Sequence, residues 1–340
     1  MAVKLKPLDR QTIVITGATS GIGLVTGRQV ARAGARLVLA ARSREALRDL
    51  TAELRAEGAQ VVYAAADVGR EDDVQAIADV AAQHFGGFDT WINNAAVSIY
   101  GGVEEVSIED QRQLFETNYW GTVLGSRVAC AQLRERGGKL INVGSALSER
   151  AIPLQGIYSA SKAAVMGFTD ALRMELEQDG APISVTLVKP GSVDTPYQDR
   201  AANYTGAGPR NPPPVYDPSA VARAILHATT HHRRDVVVGA GGKAIMAAGT
   251  LAPRLTDRVM ERFMPGLERT SEPRPGTEKR SLYRPAELDL VERGGYSRTF
   301  GRSLYTAPGR PKLGTAAAAV AAVGAGAMAY RYGSARSQRH

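Results

Sequence analysis

The sequence predicts an α/β protein in which helices cover both faces of a doubly wound parallel sheet. Two observations predict this class. Short apolar runs alternate with longer helical patterns over the first two thirds of the chain, and a glycine-rich turn joins the first run to the first helical pattern. The 340 residues are enough for one main domain of about 250 residues and a C-terminal extension.

Seven apolar runs rich in β-branched residues predict buried parallel strands. They are Thr12–Ile15, Arg36–Ala40, Gln60–Ala65, Asp89–Ile92, Lys139–Val143, Ile183–Val188 and Asp235–Val238. A first helix follows the glycine turn and ends at Gly34. Helical periodicity then predicts helices at Glu45–Glu57, Glu71–Phe85, Ser107–Arg136, Gly156–Gln178 and Pro218–His231.

Composition excludes several functional classes. The net charge is +8, but from Gly266 onward there are thirteen Lys and Arg against six Asp and Glu, so the main domain is nearly neutral. A nearly neutral domain offers no broad surface for a polyanion, and we expect no nucleic-acid partner. No His, Cys and carboxylate set has metal-ligand spacing, and we expect no metal. The single cysteine, Cys130, excludes an intrachain disulfide and favours a reducing, cytoplasmic location.

The turn after the first strand reads Thr16-Gly-Ala-Thr-Ser-Gly-Ile-Gly23. Gly17 permits the tight turn, Gly21 lets the backbone approach a phosphate, and Gly23 lets the helix close on the sheet. The helix N-terminus attracts the pyrophosphate. Strand, glycine turn and helix are the context of a Rossmann-type dinucleotide site. We therefore expect cofactor contacts from Gly17, Thr19, Ser20, Gly21, Ile22 and Gly23.

Arg42 predicts which nicotinamide dinucleotide binds. NAD-preferring sites place an acidic residue at the end of the second strand, where it binds the ribose hydroxyls. This chain has Ala41 there, followed by Arg42. A guanidinium suits a 2′-phosphate, so the sequence favours NADP(H) over NAD. After the third strand, Asp67-Val68 could accept a hydrogen bond from an adenine amino group, although an Asp at this place is more often a helix cap.

The stretch Tyr158-Ser-Ala-Ser-Lys162 carries the candidate chemistry. Residues four apart lie on the same face of a helix. A phenol has a pKa of about 10, and a nearby ammonium lowers it. Tyr158 could then exchange a proton with a substrate oxygen near neutral pH.

Together these residues resemble the short-chain dehydrogenase/reductase family. The matching motifs are Thr16-Gly17-x-x-x-Gly21-x-Gly23, Asp67-Val68, Asn93-Asn94-Ala95-Ala96, Asn118, Ser145, Tyr158-x-x-x-Lys162 and Pro190-Gly191. They follow the family's order over roughly residues 8–240. One departure is Ala96, where the family usually has glycine.

The resemblance implies roles for individual residues. Tyr158 would be the general acid, Ser145 would hydrogen-bond the substrate oxygen, and Lys162 would hold the nicotinamide ribose and lower the pKa of Tyr158. Asn118 would position a water that links Lys162 to solvent. The remaining cofactor contacts would come from Asn94, Ala95, Pro190, Gly191, Val193 and Thr195. The family's habit is a homo-dimer or tetramer assembled through the long helices.

The expected reaction is reduction of a ketone or aldehyde to an alcohol. Residues next to the motifs would form a mostly apolar, uncharged pocket, which hints at a hydrophobic substrate. They are Ser98, Ile99, Tyr100, Leu147, Leu154 and Tyr197. Two alternatives stay open, a 3-oxoacyl reductase-type enzyme of lipid metabolism and a catalytically weak NADP-binding sensor or scaffold at a membrane.

The sequence divides into a catalytic domain at 1–240, a helical extension at 241–264, a proline-containing connector at 265–312 and an Ala-rich segment with a basic tail at 313–340. In the helical extension, Leu251, Leu255, Val259 and Phe263 form an apolar stripe beside three arginines. The stripe favours packing on the main domain or another subunit over a membrane surface.

Residues 313–330 are uncharged and flanked by basic residues. Eighteen residues reach the lower limit for a spanning helix, yet Ala and Gly contribute little to membrane insertion. A membrane anchor, a soluble helix and a disordered tail remain open, with membrane association slightly favoured.

Overall fold

A computed structural model describes residues 3–273, 280–285 and 290–303. The Ala-rich segment and basic tail at 313–340, with the membrane anchor considered there, lie outside the described residues. The described strands are β1 Thr12–Thr16, β2 Arg36–Ala41, β3 Val61–Ala65, β4 Thr90–Asn93, β5 Ile99–Tyr100, β6 Gly138–Val143, β7 Ile183–Pro190, β8 Ala202–Asn203, β9 Ala207–Pro209, β10 Asp235–Val238 and β11 Arg269–Pro273. The described helices are α1 Gly21–Arg32, α2 Arg44–Ala56, α3 Glu71–Phe85, α4 Ile108–Phe115, α5 Gly121–Arg136, α6 Gly156–Gln178, α7 Tyr197–Arg200, α8 Pro218–Thr230, α9 Ala240–Leu251, α10 Pro253–Leu267 and α11 Arg280–Tyr283.

Within the described residues, the central sheet has seven parallel strands in the order β10-β7-β6-β4-β1-β2-β3. The predicted doubly wound fold is therefore confirmed. Strand order reverses between β1 and β4, and a crevice opens there at the carboxyl ends of the strands. The fold places the glycine turn after β1 at this point.

Two apolar cores cover the sheet because alternate residues of each buried strand point to opposite faces. On one face, Ile13 and Ile15 of β1 pack with residues of α1, α2 and α8. On the other face, Val14 packs with residues of α3, α5 and α6. Cys130 is a buried residue of this second core, and burial raises the pKa of its thiol to about 11.

The C-terminal extension begins with two helices. Pro253 is the first residue of α10, where proline is tolerated because the first N–H has no intrahelical acceptor. The apolar stripe does not pack on the main domain. Leu251 and Leu255 are 85% and 64% exposed, and Val259 and Phe263 are also exposed.

Unlike the apolar stripe, the described parts of the predicted connector pack on the main domain. β11 pairs with β9, α11 contacts the main domain, and residues 290–303 hydrogen-bond to it. We expected a flexible or loosely packed segment here, since the sequence has many prolines and charges and little periodicity. Instead, main-chain hydrogen bonds hold the segment in place. Because such bonds do not depend on the side chains, the sequence has no pattern that predicts them.

The described residues contain no helix that is both long and apolar enough to cross a membrane.

Candidate active site

A cleft at the crevice of the sheet brings most of the predicted site residues together. Those that line it are Gly17, Thr19, Ser20, Gly21, Ile22, Gly23, Arg42, Asp67, Val68, Asn94, Ala95, Tyr158, Lys162 and Thr195. In the described part of the chain, Pro190, Gly191, Val193, Asn118 and Ser145 do not line it. Most of the predicted cofactor residues and the pair Tyr158 and Lys162 thus line the same cleft.

The glycine turn has the shape that a bound dinucleotide requires. Gly17 and Gly21 have φ angles of +66° and +49°, which side chains rarely adopt. A Cβ on Gly23 would lie 2.1 Å from the Gly17 oxygen. The first turn of α1 contains no acidic residue to repel a phosphate. These residues fit a nicotinamide dinucleotide.

Asn94 directly follows β4, the strand that pairs with β1, and it fixes the glycine turn. Its Nδ2 donates to the main-chain oxygens of Thr16, at 2.9 Å, and Gly17, at 3.2 Å. Its own N–H donates to Thr16 Oγ1 at 3.0 Å. The amide side chain therefore holds the turn, and its place on the cleft wall leaves it beside any ligand there.

Arg42 lies at the end of β2, as the sequence predicts, but its guanidinium is already engaged. Nη2 donates to the Ser281 oxygen at 2.5 Å, and Nη1 donates to the Leu282 oxygen at 3.4 Å. Both acceptors belong to α11 of the extension. The two carbonyls orient a cation at the mouth of the cleft.

Asp67 accepts a hydrogen bond from Gly69 N at 3.0 Å through Oδ1, and its own N–H donates to Asp73 Oδ2 at 2.8 Å. The carboxylate therefore orders the loop that follows β3. It lines the cleft next to Val68. Its expected bond to an adenine amino group stays a prediction.

Helix α6 carries Tyr158 and Lys162 on one face. Lys162 is 2% exposed, and its Nζ donates to the Val143 oxygen at 2.9 Å. Burial lowers the pKa of Lys162 to about 8. The Nζ lies 5.9 Å from the centre of the Tyr158 ring. Helical spacing and β6 together place both groups.

The pKa of Tyr158 departs from the expectation. Burial raises it above its ordinary value, although hydrogen bonds with Tyr197 and Ser145 act to lower it. We expected Lys162 to lower it. Instead, desolvation of the phenolate outweighs those hydrogen bonds and raises the pKa.

Ser145 reaches Tyr158 from the end of β6. It caps a short 3₁₀ turn at Ala146–Ser148, and its Oγ accepts from Leu147 N at 3.1 Å. Ser145 is close enough to lower the pKa of Tyr158. Its expected contact with the substrate oxygen stays a prediction.

Asn118 lies in a single π-helical turn, Glu116–Trp120, between α4 and α5. Such turns are frequent at functional sites. Asn118 is fully buried, and its Oδ1 accepts from Val97 N at 2.8 Å. Its Nδ2 donates to the Val97 oxygen and to Ser161 Oγ. The side chain ties the segment after β4 to α6, and its expected water contact stays a prediction.

Three of the six predicted pocket residues pack in one cluster with Tyr158. Ile99, Leu147 and Tyr197 belong to the same apolar cluster as Tyr158. The Tyr197 ring meets those of Tyr158 and Tyr100 edge-on, with centroids 5.5 and 6.4 Å apart. Ser98 lines the cleft. The main-chain oxygen of Leu154 accepts a hydrogen bond from Gly101 N at 2.8 Å.

We expected an uncharged pocket, but an ionisable carboxyl group lies close to it. Tyr197 OH donates to Gln155 Oε1 at 3.3 Å, and Gln155 Nε2 donates to Glu268 Oε1 at 2.5 Å. Glu268 is fully buried, and burial raises its pKa to about 7. It lies 113 residues from Gln155 in sequence, and no local pattern indicates this contact.

Among the cleft-lining residues that were not predicted are Arg200, Ser281 and Pro285. Arg200 Nη1 donates to Ser20 Oγ at 2.6 Å. Ser281 and Pro285 line the cleft from the extension. Arg200 lies in a loop rich in Pro, Tyr and Gly, and the other two lie in the predicted connector, so neither region offered a motif.

Comparison with known proteins places the chain in a family. The sequence profile described as "short chain dehydrogenase" matches residues 11–204. The uncharacterized oxidoreductase YxnA of Bacillus subtilis is 46% identical over 336 residues, which is 97% of this chain and 93% of that protein. The similarity to YxnA therefore extends through most of the C-terminal extension.

Two solved structures are similar. One is an alcohol dehydrogenase from the archaeon Thermococcus sibiricus complexed with 5-hydroxy-NADP, with a TM-score of 0.60, 26% identity and coverage of 67% of this chain and 95% of that chain. The other is a short-chain dehydrogenase/reductase from Burkholderia phymatum in complex with NAD, with a TM-score of 0.62, 26% identity and coverage of 81% and 100%. The chain belongs to the short-chain dehydrogenase/reductase family of oxidoreductases.

Proposed function

We propose that this short-chain dehydrogenase/reductase uses NADP(H) to reduce a hydrophobic ketone or aldehyde to an alcohol. One observation carries the proposal: the glycine turn, Arg42, Tyr158 and Lys162 lie in a single cleft at the switch point of the sheet. Fold alone would not assign the reaction, but a proton donor beside a dinucleotide site does.

Each catalytic residue has a role that its position supports. When bound, the nicotinamide supplies or accepts the hydride. Tyr158 gives its proton to the carbonyl oxygen in the reduction direction. Ser145, which is close enough to lower the pKa of Tyr158, would stabilise negative charge on that oxygen. Lys162 holds ribose hydroxyls, and Asn118 positions the neighbouring segment and, with it, a water.

The preference for NADP(H) rests on Arg42. A guanidinium binds a 2′-phosphate, and the end of β2 has no carboxylate that would repel it. The two similar structures contain an NADP derivative and NAD respectively, so family membership leaves the choice to this residue. Thr195 and the main chain at Val193 would hold the carboxamide.

A hydrophobic substrate is supported by the residues around Tyr158. Ile99 and Leu147 pack in the cluster that contains Tyr158, and apolar walls favour an apolar ligand. The alternative of a 3-oxoacyl reductase differs only in the substrate. The alternative of a sensor or scaffold differs in turnover, since it predicts binding of NADP(H) without reaction.

The test is to titrate the full chain with NADPH and NADH by fluorescence and then add ketones and aldehydes of increasing chain length. We expect tight NADPH binding and turnover that rises with apolar length. Tyr158→Phe should lower kcat by at least a hundredfold, the usual range for a general acid, and should keep NADPH affinity. Binding without turnover in the wild type would favour the sensor, and a fully active Tyr158→Phe variant would exclude Tyr158 as the proton donor.

We also propose that α10 contacts an anionic membrane surface. Its exposed Leu255, Val259 and Phe263 lie beside the exposed Arg254, Arg258 and Arg262, the pattern of a helix that lies in a lipid interface. Three arginines against Asp257 and Glu261 give α10 a small positive charge, which suits an anionic lipid surface. The homo-dimer or tetramer would form through the long helices.

A further inference from the structure

The extension returns to the cofactor cleft after α10. Ser281 and Pro285 line the cleft itself. Residues 290–296, which we call the strap, then cross from the glycine turn to the loop that carries Thr195. One end of this crossing is held by main-chain hydrogen bonds, and at the other end main-chain N–H groups donate to a side-chain carboxylate.

The first end of the strap pairs with the glycine turn. Leu290 N donates to the Thr19 oxygen at 2.8 Å, and Gly21 N donates to the Val291 oxygen at 3.0 Å. Gly21 begins α1, so its N–H has no acceptor within the helix. The strap supplies that acceptor and braces the turn on which a pyrophosphate would lie.

The other end of the strap holds the loop beside Thr195. Gly294 N and Tyr296 N both donate to Asp194 Oδ1, at 2.8 and 3.3 Å. Asp194 is fully buried. The contact is close, because a Cβ on Gly294 would lie 2.5 Å from the Thr195 oxygen.

A third contact lies away from the cleft. Arg28 of α1 donates to Glu292 Oε1 at 2.6 Å and also pairs with Glu53 of α2. The Arg28 side chain is 18% exposed. This ion pair fixes the middle of the strap on the outer side of α1, where it cannot touch a ligand in the cleft.

We propose that the strap is part of the cofactor site and that it sets the affinity for NADP(H) by tying the glycine turn to the Thr195 loop. These two segments lie side by side along the cleft, since a Cβ on Gly21 would lie 3.0 Å from the Thr195 side chain, and a link to both of them fixes the wall against which a bound dinucleotide would lie. Preorganised sides lower the cost of ordering them on binding. The inference rests on the proposed function, since it assumes that the cleft binds a nicotinamide dinucleotide.

Gly294→Ala tests the strap, and Gly301→Ala is the matched control. The added Cβ meets the Thr195 oxygen at position 294 and open space at position 301. We expect Gly294→Ala to raise the Kd of NADPH and of NADH about tenfold, the effect of losing one or two hydrogen bonds, with faster release in stopped-flow fluorescence. Gly301→Ala should bind like the wild type.

Glu292→Gln provides a second variant should Gly294→Ala fail to fold, because it weakens the strap outside the cleft. We expect a smaller rise in Kd in the same direction. Binding and strap order are linked, so NADPH should also slow hydrogen exchange at residues 290–296. A structural role alone would lower the melting temperature and leave both the Kd and this protection unchanged.

The outcomes separate the two proposals. Wild-type protein that binds neither NADPH nor NADH would overturn the proposed function and the strap with it. Wild-type protein that binds NADPH, with Gly294→Ala and Glu292→Gln equally tight, would overturn the strap alone.

Discussion

Arg42 is the residue on which the proposed preference for NADP(H) rests. Its guanidinium is oriented by the carbonyl oxygens of Ser281 and Leu282, and a cation held in place loses less freedom when it binds a phosphate. The residue directly follows Ala41, which stands where NAD-preferring proteins have a carboxylate. We therefore expect its side chain to distinguish a 2′-phosphate from a hydroxyl.

We predict that Arg42→Ala raises the Kd of NADPH by tenfold or more and changes that of NADH little, because a charge-assisted hydrogen bond contributes about 1.5–3 kcal/mol. The control is Arg48→Ala, which removes an exposed arginine from α2. Fluorescence titration measures both constants. An unchanged ratio of the two constants would leave the preference for NADP(H) without its basis.

Tyr158 and Lys162 mark how far the sequence could predict at this scale. Their spacing fixes a common helix face, and the structure places them in one cleft. Their pKa values could not be predicted, since these depend on how deeply residues from distant strands bury each group. Burial lowers the pKa of Lys162, and it raises the pKa of the Tyr158 phenol.

At the scale of elements, the seven strands were predictable because a strand buried on both faces must be apolar throughout. The π-helical turn at Asn118 was not, since its residues fit an ordinary helix equally well. The strap was not predictable either. Its hydrogen bonds to Thr19 and Gly21 use main-chain atoms, and these are the same for every residue type.

Strand β6 contains a buried charge that makes stability depend on pH. Lys139 is fully buried, and its Nζ donates to Ser184 Oγ at 2.9 Å. Burial, with the nearby Arg173 as a smaller cause, lowers its pKa to about 7. Lys162 has a pKa lowered to about 8. Above these values the unfolded chain binds more protons than the folded protein, so stability rises with pH.

We predict that the free energy of unfolding rises between pH 8 and pH 9 and that Lys139→Met makes this rise smaller. Each lysine contributes about 1.4 kcal/mol per pH unit where only the unfolded state is protonated, so losing one of two removes roughly half of their share. Urea denaturation at three pH values measures the slope. Lys6→Met, at an exposed lysine, is the control, and an unaltered slope in Lys139→Met would show that Lys139 is not the source.

Charge is divided across the whole molecule. The main domain is nearly neutral, and the basic excess lies from Gly266 onward. Helix α10 adds exposed arginines beside exposed apolar side chains just before this region. In the extension, α11 and the strap thus lie against the cleft, whereas the stripe on α10 faces outward. Both belong to the part of the chain that resembles YxnA.

The last prediction concerns this outward face. We expect the full chain to sediment with vesicles that contain anionic lipid and not with neutral ones, because arginine attraction and apolar insertion act together. Leu255→Asp should reduce the bound fraction severalfold, since it places a charge in the apolar stripe. Ile108→Asp is the matched control, as Ile108 is 61% exposed and Leu255 64%, yet Ile108 lies on α4.

Light scattering on the same variants decides what covers the stripe. If Leu255→Asp lowers the molar mass of the protein, the stripe is a contact between copies of the chain. If vesicle binding is strong but unchanged by Leu255→Asp, another segment binds the lipid and α10 does not. Loss of vesicle binding at constant molar mass is the expected result, because the exposed arginines beside the stripe attract an anionic surface.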